Sequence, residues 1–146
     1  MKKKTNLTSV LAFLGTLPMI FCLVLLLLDI RQIAIFGSVE TVFTTYVLVI
    51  ASFMSGCYWG LVQSPLPLFE KKLLLLSNLG ALFIWFAYVL CGVKLFLLLS
   101  LFLFLSYLLL DSLLCKKNII ASSYLALRKK VTLIVCVCLI LGACIV

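Results

Sequence analysis

Hydrophobic positions in this chain come in long unbroken runs, and polar positions are largely confined to the short stretches between them. A helix crosses about 30 Å of hydrocarbon with about 20 mostly apolar residues. Five runs are long enough to do so, namely Leu7 to Leu28, Thr41 to Val62, Leu73 to Val93, Leu95 to Leu114 and Val131 to Val146. They predict an all-α, polytopic membrane protein, a bundle of five transmembrane helices forming a single transmembrane domain over residues 1–146. The third and fourth helices should meet in a tight hairpin around Gly92, Val93 and Lys94. The last run amounts to only about 24 Å of helix at 1.5 Å per residue. Its crossing therefore begins inside the basic stretch before it, with Arg128, Lys129 and Lys130 reaching back to the interface.

Finer patterns sit inside these runs. In the second, Ser52, Gly56 and Gly60 recur every four residues with Trp59 alongside. Small residues at that spacing let two helix backbones approach closely, which predicts a packing seam, with another helix of the same chain favoured over a second copy. Trp59 falls near the helix end, as an interfacial anchor or as a wall on which a ligand could stack. In the fourth run Ser100, Phe104, Tyr107 and Asp111 share one stripe, so Asp111 should point into protein. It is expected to pair with Arg128 or Lys117, the sharper alternative being a headgroup or ligand contact. Pro18 with Gly15 predicts a kink in the first helix, and Asn78 in the third an interhelical hydrogen bond. Pro65 and Pro67 predict a stiff turn. Ser122 or Ser123 is a candidate cap for an interfacial segment with Tyr124, Leu127 and Arg128 along one side.

Composition supports the same environment. The chain is 66% apolar and 11% charged, where a soluble domain is roughly half apolar and about a quarter charged. So much apolar surface does not fit inside one core of this size. Charge also sets a direction. If five helices alternate, one side of the membrane receives every lysine and arginine except Arg31 and Lys94. Cytoplasmic segments keep the positive excess, which places the N-terminus in the cytoplasm and the C-terminus outside. The net charge of +8 is dispersed along that edge, where it serves topology and attraction to anionic lipid, and it predicts no nucleic-acid partner. Lys2, Lys3 and Lys4 precede an apolar run longer than a signal peptide's, with no small-x-small cleavage site before Asp29, as in an uncleaved signal-anchor. A lysine-rich start, not an arginine- and serine-rich one, favours a bacterial inner (plasma) membrane over a mitochondrial one.

Candidate chemistry is sparse. Histidine is absent, and the 4 acids are Asp29, Glu40, Glu70 and Asp111. Only Asp111 lies inside a predicted span, near its end, which counts against an ion-coupled carrier with ionisable groups at the midplane. Without a histidine or a second nearby acid it makes no acid-base set, so no catalytic residue is assigned. The 7 cysteines contain no CxxC pair, and Cys136 and Cys138 point about 200° apart on a helix. They read as small buried hydrophobes, and neither a metal nor a cofactor is predicted.

The order of these features resembles the small membrane proteins of unknown function typified by transmembrane protein 69. The likeness rests on Leu14, Gly15 and Pro18; on Tyr46 to Gly60, with Ser52-Phe53 followed by Gly56 and Trp59-Gly60; and on Tyr124, Leu127, Arg128 and Thr132. It covers nearly the whole chain. The sequence departs from that pattern at Ser55, in place of a glycine, and at Tyr58, in place of a polar residue such as histidine, so no proton-transfer role is carried over. The resemblance implies a membrane fold and no activity, with Gly56, Trp59, Gly60, Tyr124 and Arg128 as structural or binding candidates.

Taken together, these features predict an accessory or assembly component without a catalytic centre, working through contacts with membrane lipids, other membrane proteins or a second copy. The rival expectation is a small transporter or lipid-handling protein with a cytoplasmic-side site among Trp59, Tyr107, Asp111 and Arg128.

Overall fold

The computed structural model describes residues 2–62 and 70–146. Pro65 and Pro67, expected to stiffen a turn, lie outside the described residues. The chain forms helices α1 (Lys2–Leu14), α2 (Leu17–Leu27), α3 (Val39–Val62), α4 (Glu70–Leu90), α5 (Val93–Lys116) and α6 (Ser122–Ile145). Between α2 and α3 lies a feature that hydropathy does not predict, a minimal antiparallel ladder of β1 (Gln32–Ile33) and β2 (Gly37–Ser38). Gly37 takes a left-handed φ of 77° there, a conformation that suits glycine.

Among the described residues four segments, not the expected five, are long and apolar enough to cross a membrane: Leu7–Leu27, Val39–Val62, Lys71–Leu90 and Val93–Lys116; the run from Val131 to Val146, in α6, is not among them. Their outward faces carry Phe21, Phe53, Leu75, Phe102 and Leu109, all exposed. A soluble protein does not display apolar side chains all round its surface. Hydroxyls within these helices bond to the preceding turn, as Ser106 does to the Phe102 carbonyl and Ser112 to that of Leu108. A hydroxyl satisfied in this way can stand in hydrocarbon.

The kink expected at Gly15 and Pro18 is a break. The α1 helix stops at Leu14 and α2 restarts after Thr16 with Pro18 in its first turn, where a missing N–H costs nothing. Tyr46 of α3 donates a hydrogen bond of 2.7 Å to the Gly15 carbonyl at the break. The α4–α5 hairpin falls where the glycine predicts it, with Gly92 at the N-cap of α5. Neither Ser122 nor Ser123 caps α6, because Ala121 occupies the N-cap position and no side chain bonds there.

The helices alternate in direction. On α3 and α4, Ser55 lies beside Ser77, and Thr45 shares a 3.0 Å hydrogen bond with Tyr88 nearer the other end. On α5 and α6, Asp111 meets Arg128 at one end, while Gly142 of α6 lies between Leu97 of α5 and Phe43 of α3 at the other. A Cβ on Gly142 would stand 2.7 Å from a ring carbon of Phe43, so the glycine is what allows this close approach. The core is the meeting of buried stripes on α2, α3, α4, α5 and α6, among them Val39, Phe43, Val47 and Ala51 of α3 and Leu73, Ile84 and Ala87 of α4. Two helix pairs pack most extensively, α3 with α4 and α5 with α6.

Candidate functional site

Near the C-terminal end of α3 the buried stripe turns polar. Ala51, Ser55 and Tyr58 continue it at helical spacing, and facing positions on α4, α5 and α6 supply Ser77, Tyr107, Asp111 and Arg128. Ser77 Oγ donates to the Ser55 carbonyl at 2.6 Å, tying α4 to α3. Ser55 Oγ donates to the Ala51 carbonyl at 3.0 Å and so uses its only proton. The Tyr107 hydroxyl, 2.5 Å from Ser55 Oγ, must then be the donor between them. A Cβ on Gly80 would overlap that Tyr107 hydroxyl, so α4 carries a glycine where α5 inserts its phenol.

One turn further along α5, Asp111 is 2% exposed and accepts from two helices. The Tyr58 hydroxyl donates to Oδ1 at 3.0 Å, and Arg128 Nε donates to Oδ2 at 2.7 Å. Arg128 Nη1 lies against the Met54 sulfur. Both carboxylate oxygens are thereby satisfied, as a buried charge requires. The expectation that Asp111 anchors to Arg128 is met, and the stripe of Ser100, Phe104, Tyr107 and Asp111 is buried along its length.

Beside the ion pair a cleft of about 390 Å³ opens between α1, the Gly15–Thr16 break, α3 and α6. Its walls are mainly apolar, with Ala12, Phe53 and Cys57 among them. Tyr124, Arg128 and Thr132 line the α6 side at intervals of four residues, one above the next. Among the described residues, Arg128 is the only charged one lining it.

Three expectations are corrected. The stripe of Ser52, Gly56 and Gly60 is not a packing seam within the chain: both glycines are exposed, and a Cβ on either meets nothing within 4 Å. The seam runs along the adjacent face, through Ala51, Ser55 and Tyr58, because larger side chains there fill the space between α3, α4 and α5. Trp59 is 47% exposed on the outer surface and does not line the cleft, so it does not join Tyr107, Asp111 and Arg128. Asn78 is exposed and bonds to Leu74 in its own helix, while its neighbour Ser77 makes the interhelical bond.

Sequence reasoning missed Ser55, Tyr58, Ser77 and Gly80 as parts of this seam. A signal was present in the spacing of Val47, Ala51, Ser55 and Tyr58, which follows one helix face, but the glycine pattern one position away was the louder one. The cysteines divide: Cys22, Cys136 and Cys138 are buried, Cys57, Cys91 and Cys115 partly so, and Cys144 is exposed.

Apolar helices of membrane-crossing length joined by a buried polar seam define a multi-pass helical membrane protein. The chain belongs to the family of proteins of unknown function DUF3429, which it matches over residues 5–144. No curated protein matches it, and no solved structure does.

Proposed function

We propose that this protein is a non-enzymatic lipid-binding component of a bacterial inner membrane, holding a lipid in the cleft between α1, α3 and α6. The observation that carries this reading is the cleft itself: an apolar space of about 390 Å³ with one guanidinium in its wall. That volume falls in the range of ligand sites, which pair mostly apolar walls with a few placed polar groups. The seam behind it serves as the rigid support, with Asp111 and Tyr58 holding Arg128 in place.

The α6 helix acts as a fifth crossing in this reading. It runs beside α5 and α2 from the Asp111–Arg128 pair to the Phe43–Gly142 contact, at the opposite end of the bundle. Alternation of five crossings gathers the basic residues other than Arg31 and Lys94 at one end, which is then cytoplasmic, with the C-terminus outside. The motif likeness to proteins typified by transmembrane protein 69 is consistent with a role in membranes of this kind.

The reading is tested by native mass spectrometry of the protein released gently from its own membrane, beside the cleft-filling variant Ala12→Trp. Retention of about one lipid per chain by the natural protein and its loss in the folded variant is the expected result. A chain that retains no lipid but travels with a stoichiometric protein partner would replace lipid binding with an assembly role through helix contacts.

A further inference from the structure

The occupant's chemistry follows from the depth, width and charge of the cleft, and this step rests on the lipid-binding reading above. Residues lining the cleft on α6 run from Tyr124 to Val135, about 16 Å of helix at 1.5 Å per residue. Beyond Arg128 the lining continues to Val135 for about 10 Å, about a third of a 30 Å hydrocarbon core, which takes the first part of an acyl chain. A space of about 390 Å³ lies near the narrow end of ligand sites and suits one chain better than two.

Three polar groups then mark where a headgroup would sit. Arg128 spends Nε on Asp111, and its Nη1 meets only the Met54 thioether, a weak acceptor. The remaining guanidinium N–H groups have no oxygen acceptor among the described residues, and the side chain keeps 10% exposure where it lines the cleft. One turn deeper Thr132 is 2% exposed, lines the same cleft, and its hydroxyl bonds to no other described residue. One turn shallower stands Tyr124, whose hydroxyl likewise bonds to none. No sealed side-chain nitrogen or oxygen among the described residues lacks a partner, so these groups are not orphaned; they border the cleft, where the oxygens of a ligand meet them. Phosphate oxygens fit a planar guanidinium fork. Lys129 and Lys130, exposed beside Arg128, disfavour a headgroup that brings its own cation.

We infer that the cleft takes one acyl chain of an anionic glycerophospholipid, with its phosphate against Arg128 between Tyr124 and Thr132. Asp111 does not compete for the ligand; it grips Nε, while Nη1 rests on Met54, which lines the cleft with Arg128.

Cys57 lines the cleft, so its reactivity follows occupancy in the natural protein. The experiment follows the rate of Cys57 alkylation by N-ethylmaleimide, site by site by mass spectrometry, in maltoside micelles. Lysophosphatidylglycerol and lysophosphatidylcholine of equal chain length are the two probes. Protection at about tenfold lower concentration of the anionic probe is expected, the size of a charge-assisted hydrogen bond gained. In Arg128→Lys, which keeps the charge and loses the fork, the difference should narrow. Equal protection by both probes overturns the anionic assignment and leaves the lipid-binding reading intact. No protection by either overturns both. Protection that needs no lipid and rises with protein concentration places a second copy over the cleft and also overturns the inference. Should Arg128→Lys fail to fold, the comparison of the two probes on the natural protein still decides.

Discussion

Tyr58 on α3 and Arg128 on α6 grip opposite oxygens of the same carboxylate, Asp111 of α5, at 3.0 and 2.7 Å. Three helices are thereby held at one point, where Tyr58, Asp111 and Arg128 are all buried. The two bonds differ in weight. Removing one partner of a buried ion pair strands a charge at a cost of about 3–5 kcal/mol, whereas a single interhelical hydrogen bond in a membrane protein averages about 0.6 kcal/mol.

Asp111→Ala should accordingly lower thermal stability severely, by about 3–5 kcal/mol, and Tyr58→Phe by no more than about 1–2 kcal/mol. The double variant Asp111→Leu/Arg128→Met should recover much of the single-variant loss, since replacing a buried pair with apolar groups is often neutral. Denaturation in a fixed detergent measures all of these, and equal effects of the first two would mean that the ion pair is open to water.

Gly80→Ala is a test of the Tyr107 insertion. A methyl group there collides with the phenol hydroxyl, and overpacking of this kind costs about 1–3 kcal/mol. Combining it with Tyr107→Phe, which removes the hydroxyl the methyl meets, should return part of the loss. A Gly80→Ala protein as stable as the natural one would place Tyr107 elsewhere.

The glycines of α3 make an opposite prediction. If Gly56 and Gly60 formed a seam within the chain, Gly56→Leu would block folding. Because a side chain there enters open space, Gly56→Leu should leave the yield unchanged and the stability within about 0.5 kcal/mol of the natural protein. A change in subunit number on size-exclusion chromatography, with the melting temperature intact, would show that this face meets a second copy.

Orientation is open to direct chemistry. In a cysteine-depleted background, Val146→Cys should react with a membrane-impermeant maleimide applied from outside intact spheroplasts, and a cysteine at Lys117 should react only after lysis. A Val146 position reactive only after lysis would remove either the fifth crossing or the inward N-terminus.

How far the sequence reached depends on the kind of interaction. Apolar run length against bilayer thickness is a one-dimensional property, so the four segments of membrane-crossing length, a distortion at Gly15 and Pro18 and the turn at Gly92 were legible without any structure, whereas the distortion's being a break and not a kink was not. The burial of Asp111 was legible for a similar reason: a carboxylate within an apolar run has few places to go. Tertiary structure alone decided which face of α3 is inner. In lipid, outward and inward faces are equally apolar, so hydropathy does not separate them, and small residues mark close approach without saying whether any helix has approached. Whether Ser55 and Tyr58 or Gly56 and Gly60 face the core depends on a rotation of one helix, settled by Gly80, Tyr107 and Asp111 on its neighbours. The cleft belongs to the same category, since it is the gap left where α1 and α2 part around the Gly15–Thr16 break, between α3 and α6.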